Sequence, residues 1–387
     1  MEGPDGTWLP GQPHYGKPLL TRAEACALAP PSARLSLYAG RGGHAFRDDQ
    51  ESGEGDLQDN DSTLALQDSV AEVEDSFLIC NHHTIVTLYT NDDTRGRDIH
   101  TGSIKQRPLC HDGDIMTRER DFFRLAIGYN TGEILIWEYY RNERTWLNDR
   151  KTITDLAVAS DCQSVACVDL GGRLSVYTLK FAADTVDIKL SFAADSYYGG
   201  FTCCCWSSDD KYLATGSQDD LISVWSVTSK SLLARGEGHT AYVARIKFDP
   251  YAALYAFEFL LPSTYRLISV GQDGKIAFWD FSESDLSVPL RPPSATAPLQ
   301  PAARKTTRRL RLRRKANVVV TTNSQNNDIL KAPSRREVAT IRPVAIQQVS
   351  SEPVTDVHVQ ARRLWVVVNT GQIHQWERPK ASQTTAV

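Results

Sequence analysis

The side chains best suited to bind a metal are two groups of cysteine and histidine. Cys80, His82 and His83 form the first group, and Cys110 and His111 form the second. Zinc ligands usually come from short, fixed spacings that let four side chains converge as a tetrahedron. Here Cys80 fits a strand and the two histidines after it fit a tight turn, so these groups do not have that geometry. We therefore expect no metal site, and we predict no cofactor.

Catalytic side chains are equally hard to assemble. The consecutive Cys203, Cys204 and Cys205 have no base beside them in sequence, and activation of a nucleophile requires such a neighbour. The pair Asp219-Asp220 resembles a general acid and base, but it also fits a structural turn. No G-x-S-x-G elbow, P-loop, H-E-x-x-H or paired C-x-x-C motif is present. We predict that the protein is not an enzyme.

The clearest structural pattern lies between Gly238 and Asp280. It opens with Gly-His, closes with Trp-Asp, and contains two alternating apolar runs followed by a Gly/Asp turn. Alternation broken by such turns predicts short antiparallel strands, and the two dipeptides mark one blade of a WD-repeat propeller. We predict that four polar side chains form a buried hydrogen-bond relay in this blade, which is stable when every member is paired. These side chains are His239, Ser269, Asp273 and Trp279.

The preceding stretch, from Phe201 to Trp225, has the same pattern. Here we expect the carboxylate of Asp219 to bridge toward Thr215 and Trp225. This structural role accounts for the acidic pair better than catalysis does.

Similar units recur through the chain, each closing on an aromatic residue. Tyr89, Trp137, Tyr177, Trp225 and Trp279 are 48, 40, 48 and 54 positions apart, which is typical of propeller blades with variable loops. We predict an all-β fold, a WD-repeat β-propeller, with blades over 77–281 and a last blade over 353–379. Six blades are recognisable, and seven is a common ring size. Three explanations stay open: a blade is missing, the N-terminal region hides one, or the ring has six.

The remaining segments differ in composition. Residues 1–76 are predicted to be a mostly flexible acidic arm, since 48–75 hold eleven Asp/Glu and no Lys/Arg. This arm is either a docking element or a solvated loop. Residues 282–352 are predicted to be a disordered, Pro-rich and basic insertion, and 380–387 a tail.

The insertion contains eight basic residues within twelve positions. They could serve nuclear import, binding of an anionic partner, or a solvated linker, and import is the hypothesis we carry forward. The residues are Arg304, Lys305, Arg308, Arg309, Arg311, Arg313, Arg314 and Lys315.

Bulk composition limits the partners. The formal net charge is −4, and no long apolar run or secretory leader is evident, so we expect no membrane partner and no direct nucleic-acid partner. Cysteine usage is that of a reducing compartment. We expect a cytoplasmic and nuclear protein.

Two tyrosines mark a candidate partner surface. Tyr198 and Tyr242 each precede the innermost strand of a blade and lie 44 residues apart, about one blade period. They should therefore sit on the same rim, where exposed aromatic side chains are good anchors for a partner. The alternative is that both pack beneath their own loops.

Several short runs of the chain carry a resemblance to a known family. They are Ser196–Gly200, Cys205–Ser207, Lys211-Tyr212, Gly216, Asp219–Leu221, Val224–Ser226, Ala234–Gly236, Gly238-His239, Phe248–Tyr251, Tyr265-Arg266, Ser269–Asp273, Trp279-Asp280, Gly371–Ile373, Trp376 and Arg378-Pro379. Through these runs the chain resembles the WD-repeat family that groups the fungal carbon-catabolite-repression protein creC with the animal dystrophia myotonica WD-repeat proteins. The resemblance covers about 120–281 and 353–379 and is weak before Phe77.

The resemblance implies a non-catalytic scaffold that binds, and activates or stabilises, a creB-like ubiquitin-specific protease. It implies a monomeric propeller within a hetero-complex that acts in carbon catabolite repression and transcription regulation. By position, Tyr198 and Tyr242 match the family's aromatic contacts to the protease, although animal members usually have Trp at the second position. Members of the family also have one more repeat at the position where this chain has only residues 138–152. A substrate receptor of a cullin-type ubiquitin ligase is the alternative use of the same platform.

Overall fold

A computed structural model describes most of the predicted blades. The described residues are 1–4, 6–10, 34–39, 76–82, 84–90, 93–101, 103, 105–113, 124–138, 143–148, 151–181, 186–252, 263–286, 329–334 and 337–379. The elements whose bounds it gives are β-strands, apart from one short 3-10 helix at Glu283–Asp285. Within these ranges, no helix has the length and apolar character needed to span a membrane.

The N-terminal half of the chain forms three four-stranded antiparallel sheets. They are preceded by three short strands, β1 (Glu2–Gly3), β2 (Gly6–Thr7) and β3 (Leu9–Pro10). The first blade comprises β4 (Arg34–Ala39), β5 (Ser76–His82), β6 (Ile85–Thr90) and β7 (Asp93–Thr101). The second comprises β8 (Pro108–Gly113), β9 (Arg124–Tyr129), β10 (Glu133–Glu138) and β11 (Glu143–Asn148). The third comprises β12 (Ile153–Val158), β13 (Ser164–Asp169), β14 (Arg173–Phe181) and β15 (Val186–Asp195).

The C-terminal half forms three more sheets. The fourth blade comprises β16 (Phe201–Trp206), β17 (Tyr212–Ser217), β18 (Leu221–Ser226) and β19 (Ser231–Glu237), with β23 (Ala339–Ile341) added in parallel to its edge. The fifth comprises β20 (Val243–Phe248), β21 (Tyr265–Gly271), β22 (Lys275–Phe281) and β24 (Ala345–Gln348). The sixth comprises β25 (Val354–Val359), β26 (Arg363–Val368) and β27 (Ile373–Glu377), and β3 supplies its fourth strand.

The sheets pack face to face in chain order, with the first strand of one blade against that of the next. Because an inner blade has a neighbour on both faces, both sides of its strands are apolar. On β16, Cys203 and Cys205 point into the core shared with the fifth blade, whereas Cys204 points into the core shared with the third. This arrangement of antiparallel sheets is that of a WD-repeat β-propeller.

Charged side chains also connect the innermost strands. Arg245 on β20 donates from Nη1 to Asp155 on β12 at 2.7 Å and from Nε to Asp356 on β25 at 2.9 Å. Asp155 accepts a further bond from the backbone N–H of Cys204 at 3.0 Å. The network therefore joins four consecutive blades, from the third to the sixth.

The family that this chain resembles has one more repeat near 138–152, and the structure shows how that segment folds here. That segment is not a gap between blades, because β11 pairs with β10 in continuous register from Glu138↔Glu143 to Glu133↔Asn148. It therefore completes the second blade as its outer strand. The described ranges thus contain six blades, five with four strands and one with five.

Most of the described residues of 1–76 lie in strands, so these short ranges are not part of the flexible arm predicted there. Residues 34–39 form the innermost strand of the first blade, and β3 pairs with β27 through Trp376↔Pro10 and Glu377↔Leu9. Beside β3, Trp8 is fully buried and lies 6.2 Å from the ring of Phe278. The N-terminal and C-terminal ends of the chain are therefore joined in one sheet. The acidic stretch 48–75 lies outside the described residues.

The end of the predicted insertion 282–352 is also structured. The backbone N–H of Asp195 donates to Leu330 O at 2.9 Å, and that of Leu330 to Ala193 O at 2.9 Å, on the edge of the third blade. The chain then passes the fourth blade as β23 and enters the fifth as β24. The fifth blade is thus completed by residues more than sixty positions after β22. The segment 287–328, with the basic run, lies outside the described residues.

Candidate partner-binding rim

The four relay side chains of the fifth blade lie within hydrogen-bond distance of one another. Trp279 Nε1 donates to Ser269 Oγ at 2.8 Å, and this oxygen lies 2.8 Å from His239 Nε2. His239 Nδ1 lies 3.1 Å from both carboxylate oxygens of Asp273. With the indole N–H donating to the serine, the serine hydroxyl donates to Nε2, and Nδ1 carries the proton that faces the carboxylate. The relay connects β21 and β22 to the loop before β20.

Asp273 is strongly stabilised as an anion. Burial alone would raise its pKa, but hydrogen bonds from His239 and from the backbone N–H of Thr240 lower the pKa of this carboxyl to about 2. The Thr240 N–H lies 2.9 Å from Oδ2. The carboxylate therefore fixes the backbone of the loop that carries Tyr242.

The fourth blade uses a different arrangement from the one expected. Trp225 Nε1 donates to Thr215 Oγ1 at 3.0 Å, as in a relay. Asp219, however, accepts from the hydroxyl of Ser217, from the backbone N–H of Leu221 at 3.2 Å and from the backbone N–H of Tyr198 at 3.2 Å. These hydrogen bonds of Asp219 therefore run along the turn and up to the rim, not toward Thr215 and Trp225.

Both candidate tyrosines are exposed on the edge of the blades where the polypeptide enters the innermost strands. Tyr198 is 76% exposed and Tyr242 is 43% exposed. The loop of each is held by a carboxylate from the neighbouring turn, Asp219 for Tyr198 and Asp273 for the loop of Tyr242. In addition, the backbone N–H of Gln272 donates to Tyr242 O at 2.9 Å. The backbone of this rim is therefore fixed while the phenol rings face solvent.

Two further apolar side chains on the same edge were missed by the sequence reasoning. Leu170 is 53% exposed and Tyr197 is 46% exposed. The guanidinium of Arg235 lies 4.5 Å from the centroid of the Tyr197 ring and donates to Pro333 O at 2.7 Å, so the end of the predicted insertion supports this ring. A leucine at the tip of a Gly-Gly turn was a usable signal. No sequence signal pointed to the contact with Pro333, because Pro333 lies nearly one hundred residues from Arg235 in the chain.

The candidate metal ligands have structural neighbours. His111 Nδ1 lies 2.9 Å from Asn81 Oδ1, and Asn81 Nδ2 donates to Pro108 O at 3.2 Å, which ties the first blade to the second. Cys110 is buried in the core between the second and third blades. In the ranges that the structure describes, no group of three or more His, Cys, Asp or Glu is placed to hold a metal ion. His83 lies outside those ranges.

The cysteine trio is a core feature. Cys203, Cys204 and Cys205 are all buried. Burial raises the pKa of the Cys203 thiol to about 11 and that of the Cys205 thiol to about 12. Both thiols are therefore protonated near neutral pH, and protonated thiols are poor nucleophiles.

Comparison with known proteins agrees with this architecture. The family model for the WD domain, G-beta repeat, matches residues 194–226, which span the Tyr198 loop and β16 to β18. The UBP9-binding protein bun62 of Schizosaccharomyces pombe is 28% identical over 263 residues, which cover 64% of this chain and 46% of that protein. The chain thus spans about half the length of this relative. The chain described here carries a WD40 repeat domain and is similar to a protein named for binding UBP9.

Proposed function

We propose that this chain is a non-catalytic WD-repeat scaffold that binds a ubiquitin-specific protease through its tyrosine rim and promotes deubiquitination. The observation that carries the proposal is the pairing of exposed phenol rings with a rigid backbone beneath them. Aromatic side chains supply much of the energy in protein interfaces, and a preorganised surface loses little entropy on binding. The name of the relative from Schizosaccharomyces pombe and the creC-type sequence resemblance both support a protease as the partner.

In this proposal the scaffold acts on the protease by a shift in conformational population. A partner that binds the active conformation more tightly than the inactive one multiplies the ratio of active to inactive protease by the ratio of the two affinities. The tyrosine rim supplies binding energy, while the protease supplies the catalytic residues. The same binding would also stabilise the folded protease against unfolding by mass action.

The cellular setting follows from the same resemblance. We propose that the complex acts in carbon catabolite repression and transcription regulation, in the cytoplasm and nucleus. The basic run Arg304–Lys315 would direct nuclear import. Deletion of 304–315 in a fluorescent fusion should then move the protein toward the cytoplasm, and an unchanged distribution would remove this part of the proposal.

The binding proposal is tested with the source organism's protease most similar to UBP9. Affinity is measured for the unsubstituted chain, for Tyr198→Ala plus Tyr242→Ala, and for Trp146→Ala. Trp146 is the matched control, because it is 45% exposed but lies on β11, an outer strand. We expect the double variant to bind at least about 30-fold more weakly, since two anchors at about 1 kcal/mol or more each are lost. Equal affinity of the double variant and the control would refute the rim as the binding surface.

A further inference from the structure

The rim has an unequal distribution of charge. On the side of the second and third blades, Lys105, Arg107 and Lys151 are exposed, and within the described ranges none of their side chains has an ion-pair partner. The backbone of the first two is fixed to the turn after β9, where Arg107 N donates to Asn130 Oδ1 at 2.6 Å and Asn130 Nδ2 donates to Lys105 O at 3.2 Å. This end of the rim is cationic.

An open cleft lies at the cationic end. It has a volume of about 360 Å³ and is lined by Asn130, Thr131, Lys151, Thr152, Leu170 and Gly171. The hydroxyl groups of its wall are already used, since Thr131 donates to Glu133 at 3.0 Å and Thr152 donates to Asn130 O at 2.8 Å. The groups left for a ligand are the ammonium of Lys151 and the apolar side chain of Leu170.

Gly171 determines where that ammonium lies. A methyl group in place of its hydrogen would collide with the end of the Lys151 side chain, which lies across this glycine. The absence of a side chain at this position therefore lets the ammonium reach into the cleft.

On the far side of Tyr197 and Tyr198, next to the fifth blade, the rim is anionic. Asp220 lies in the turn between β17 and β18, and its carboxylate accepts no hydrogen bond from the residues that the structure describes. Burial, followed by the negative charges of Asp219 and Asp273, raises the pKa of this carboxyl. A cation brought by a partner would relieve that repulsion.

Tyr197 and Tyr198 lie between the Lys151 cleft and Asp220. The backbone N–H of Ser196 donates to Gly172 O at 2.7 Å, which joins the Tyr197-Tyr198 loop to the turn that bears Leu170. On its other side the same loop meets the Asp220 turn, because Gln218 N donates to Gly200 O at 2.9 Å. The order along the rim is therefore cation, apolar cleft edge, aromatic rings, carboxylate.

We propose that the protease docks with a segment of matching polarity: an acidic side chain in the Lys151 cleft, an apolar side chain against Leu170, Tyr197 and Tyr198, and a basic side chain at Asp220. This inference rests on the proposed function and adds the chemistry and the direction of the bound segment. Complementary charges at both ends of an apolar anchor fix its register and exclude the reversed orientation.

The experiment measures Kd for the purified protease at about 50 mM and about 500 mM salt, with the full chain and four variants. Lys151→Glu should weaken binding about five- to tenfold at low salt, and the loss should shrink to about twofold at high salt, since exposed pairs are screened. Gly171→Ala, which displaces the ammonium and keeps the charge, should weaken binding about threefold. Asp220→Asn keeps the turn geometry at φ 66° and should also cost about threefold at low salt. Lys180→Glu is the matched control, because Lys180 is exposed at the opposite end of β14.

The outcomes separate the two proposals. Loss with Lys151→Glu, Gly171→Ala and Asp220→Asn, but not with Lys180→Glu, supports the dipolar segment. If the tyrosine double variant loses binding while Lys151→Glu and Gly171→Ala match the control, the segment chemistry is refuted and the rim function stands. If the unsubstituted chain does not bind the protease, both proposals are refuted.

Discussion

Removal of one hydroxyl from the fifth-blade relay should be among the costlier small substitutions in this protein. Ser269 is fully buried, and its oxygen serves both Trp279 Nε1 and His239 Nε2 at 2.8 Å. In Ser269→Ala both nitrogens lose that partner in a site closed to water. Each buried polar group left without a partner costs about 1–3 kcal/mol. We therefore expect the free energy of unfolding to fall by about 2–6 kcal/mol.

The control for this substitution is a serine in a similar environment with a smaller role. Ser223 is 8% exposed on β18, and in the described ranges its hydroxyl makes no hydrogen bond. Ser223→Ala should change stability by less than about 0.5 kcal/mol. Ser269→Thr retains a hydroxyl and should recover part of the loss, limited by the extra methyl group in a packed core.

Urea unfolding followed by circular dichroism measures these differences as shifts in the midpoint at a constant slope. Because Asp273 also holds the Thr240 backbone N–H, amide exchange at Thr240 should accelerate in Ser269→Ala. Equal midpoints for Ser269→Ala and Ser223→Ala would refute the view that the relay stabilises the blade.

The remaining predictions concern pH, ring closure and thiol reactivity. The folded-state pKa of Asp273 is about 2, below its ordinary value of 3.8. The ionised carboxylate therefore contributes about 2 kcal/mol to the free energy of unfolding; this contribution is complete above about pH 4 and is lost as the pH falls toward 2. Acid titration of the unfolding midpoint should therefore be shallower in Asp273→Asn, and an identical acid limb would contradict this. Arg378→Ala should lower stability by about 3–5 kcal/mol, because its guanidinium lies 2.7 Å from the fully buried carboxylate of Asp249, and removal of the guanidinium would break this buried ion pair. A loss below about 1 kcal/mol, measured by the same unfolding assay, would show that the pair contributes little. Cys203 and Cys205 should resist alkylation by iodoacetamide in the native protein and react after denaturation; rapid labelling of the native form would contradict their burial.

Much of the propeller could be predicted from the sequence because its blades repeat local signals. Alternating apolar runs, Gly/Asp turns and closing aromatics such as Trp225 and Trp279 are determined within about forty residues. The relay partners of Trp279 also fall within one repeat. Period and turn chemistry were therefore sufficient for these elements.

The elements that the sequence did not reveal all depend on distant partners. The strand Leu9–Pro10 has two residues and no pattern of its own, and it forms because β27 offers an unpaired edge and Trp8 has a pocket beside Phe278. Likewise, β24 completes the fifth blade only after a long excursion of the chain.

The rim also combines features determined locally with features that depend on distant residues. The positions of Tyr198 and Tyr242 followed from the blade period, whereas the support of Tyr197 by Arg235 and Pro333 did not, since those contacts cross blades. The relay also has a role beyond stability: through Thr240 it positions the loop of a proposed contact residue.

The most direct test of the central claim is the rate of ubiquitin cleavage by the purified protease titrated with this chain. We predict a saturable increase in kcat with the unsubstituted chain and with Trp146→Ala. At the same sub-saturating concentrations we predict only a small increase with Tyr198→Ala plus Tyr242→Ala, because its Kd should be at least about 30-fold higher. An equal increase with the double variant, or no increase with any form of the chain, would contradict the claim that the tyrosine rim binds and activates the protease.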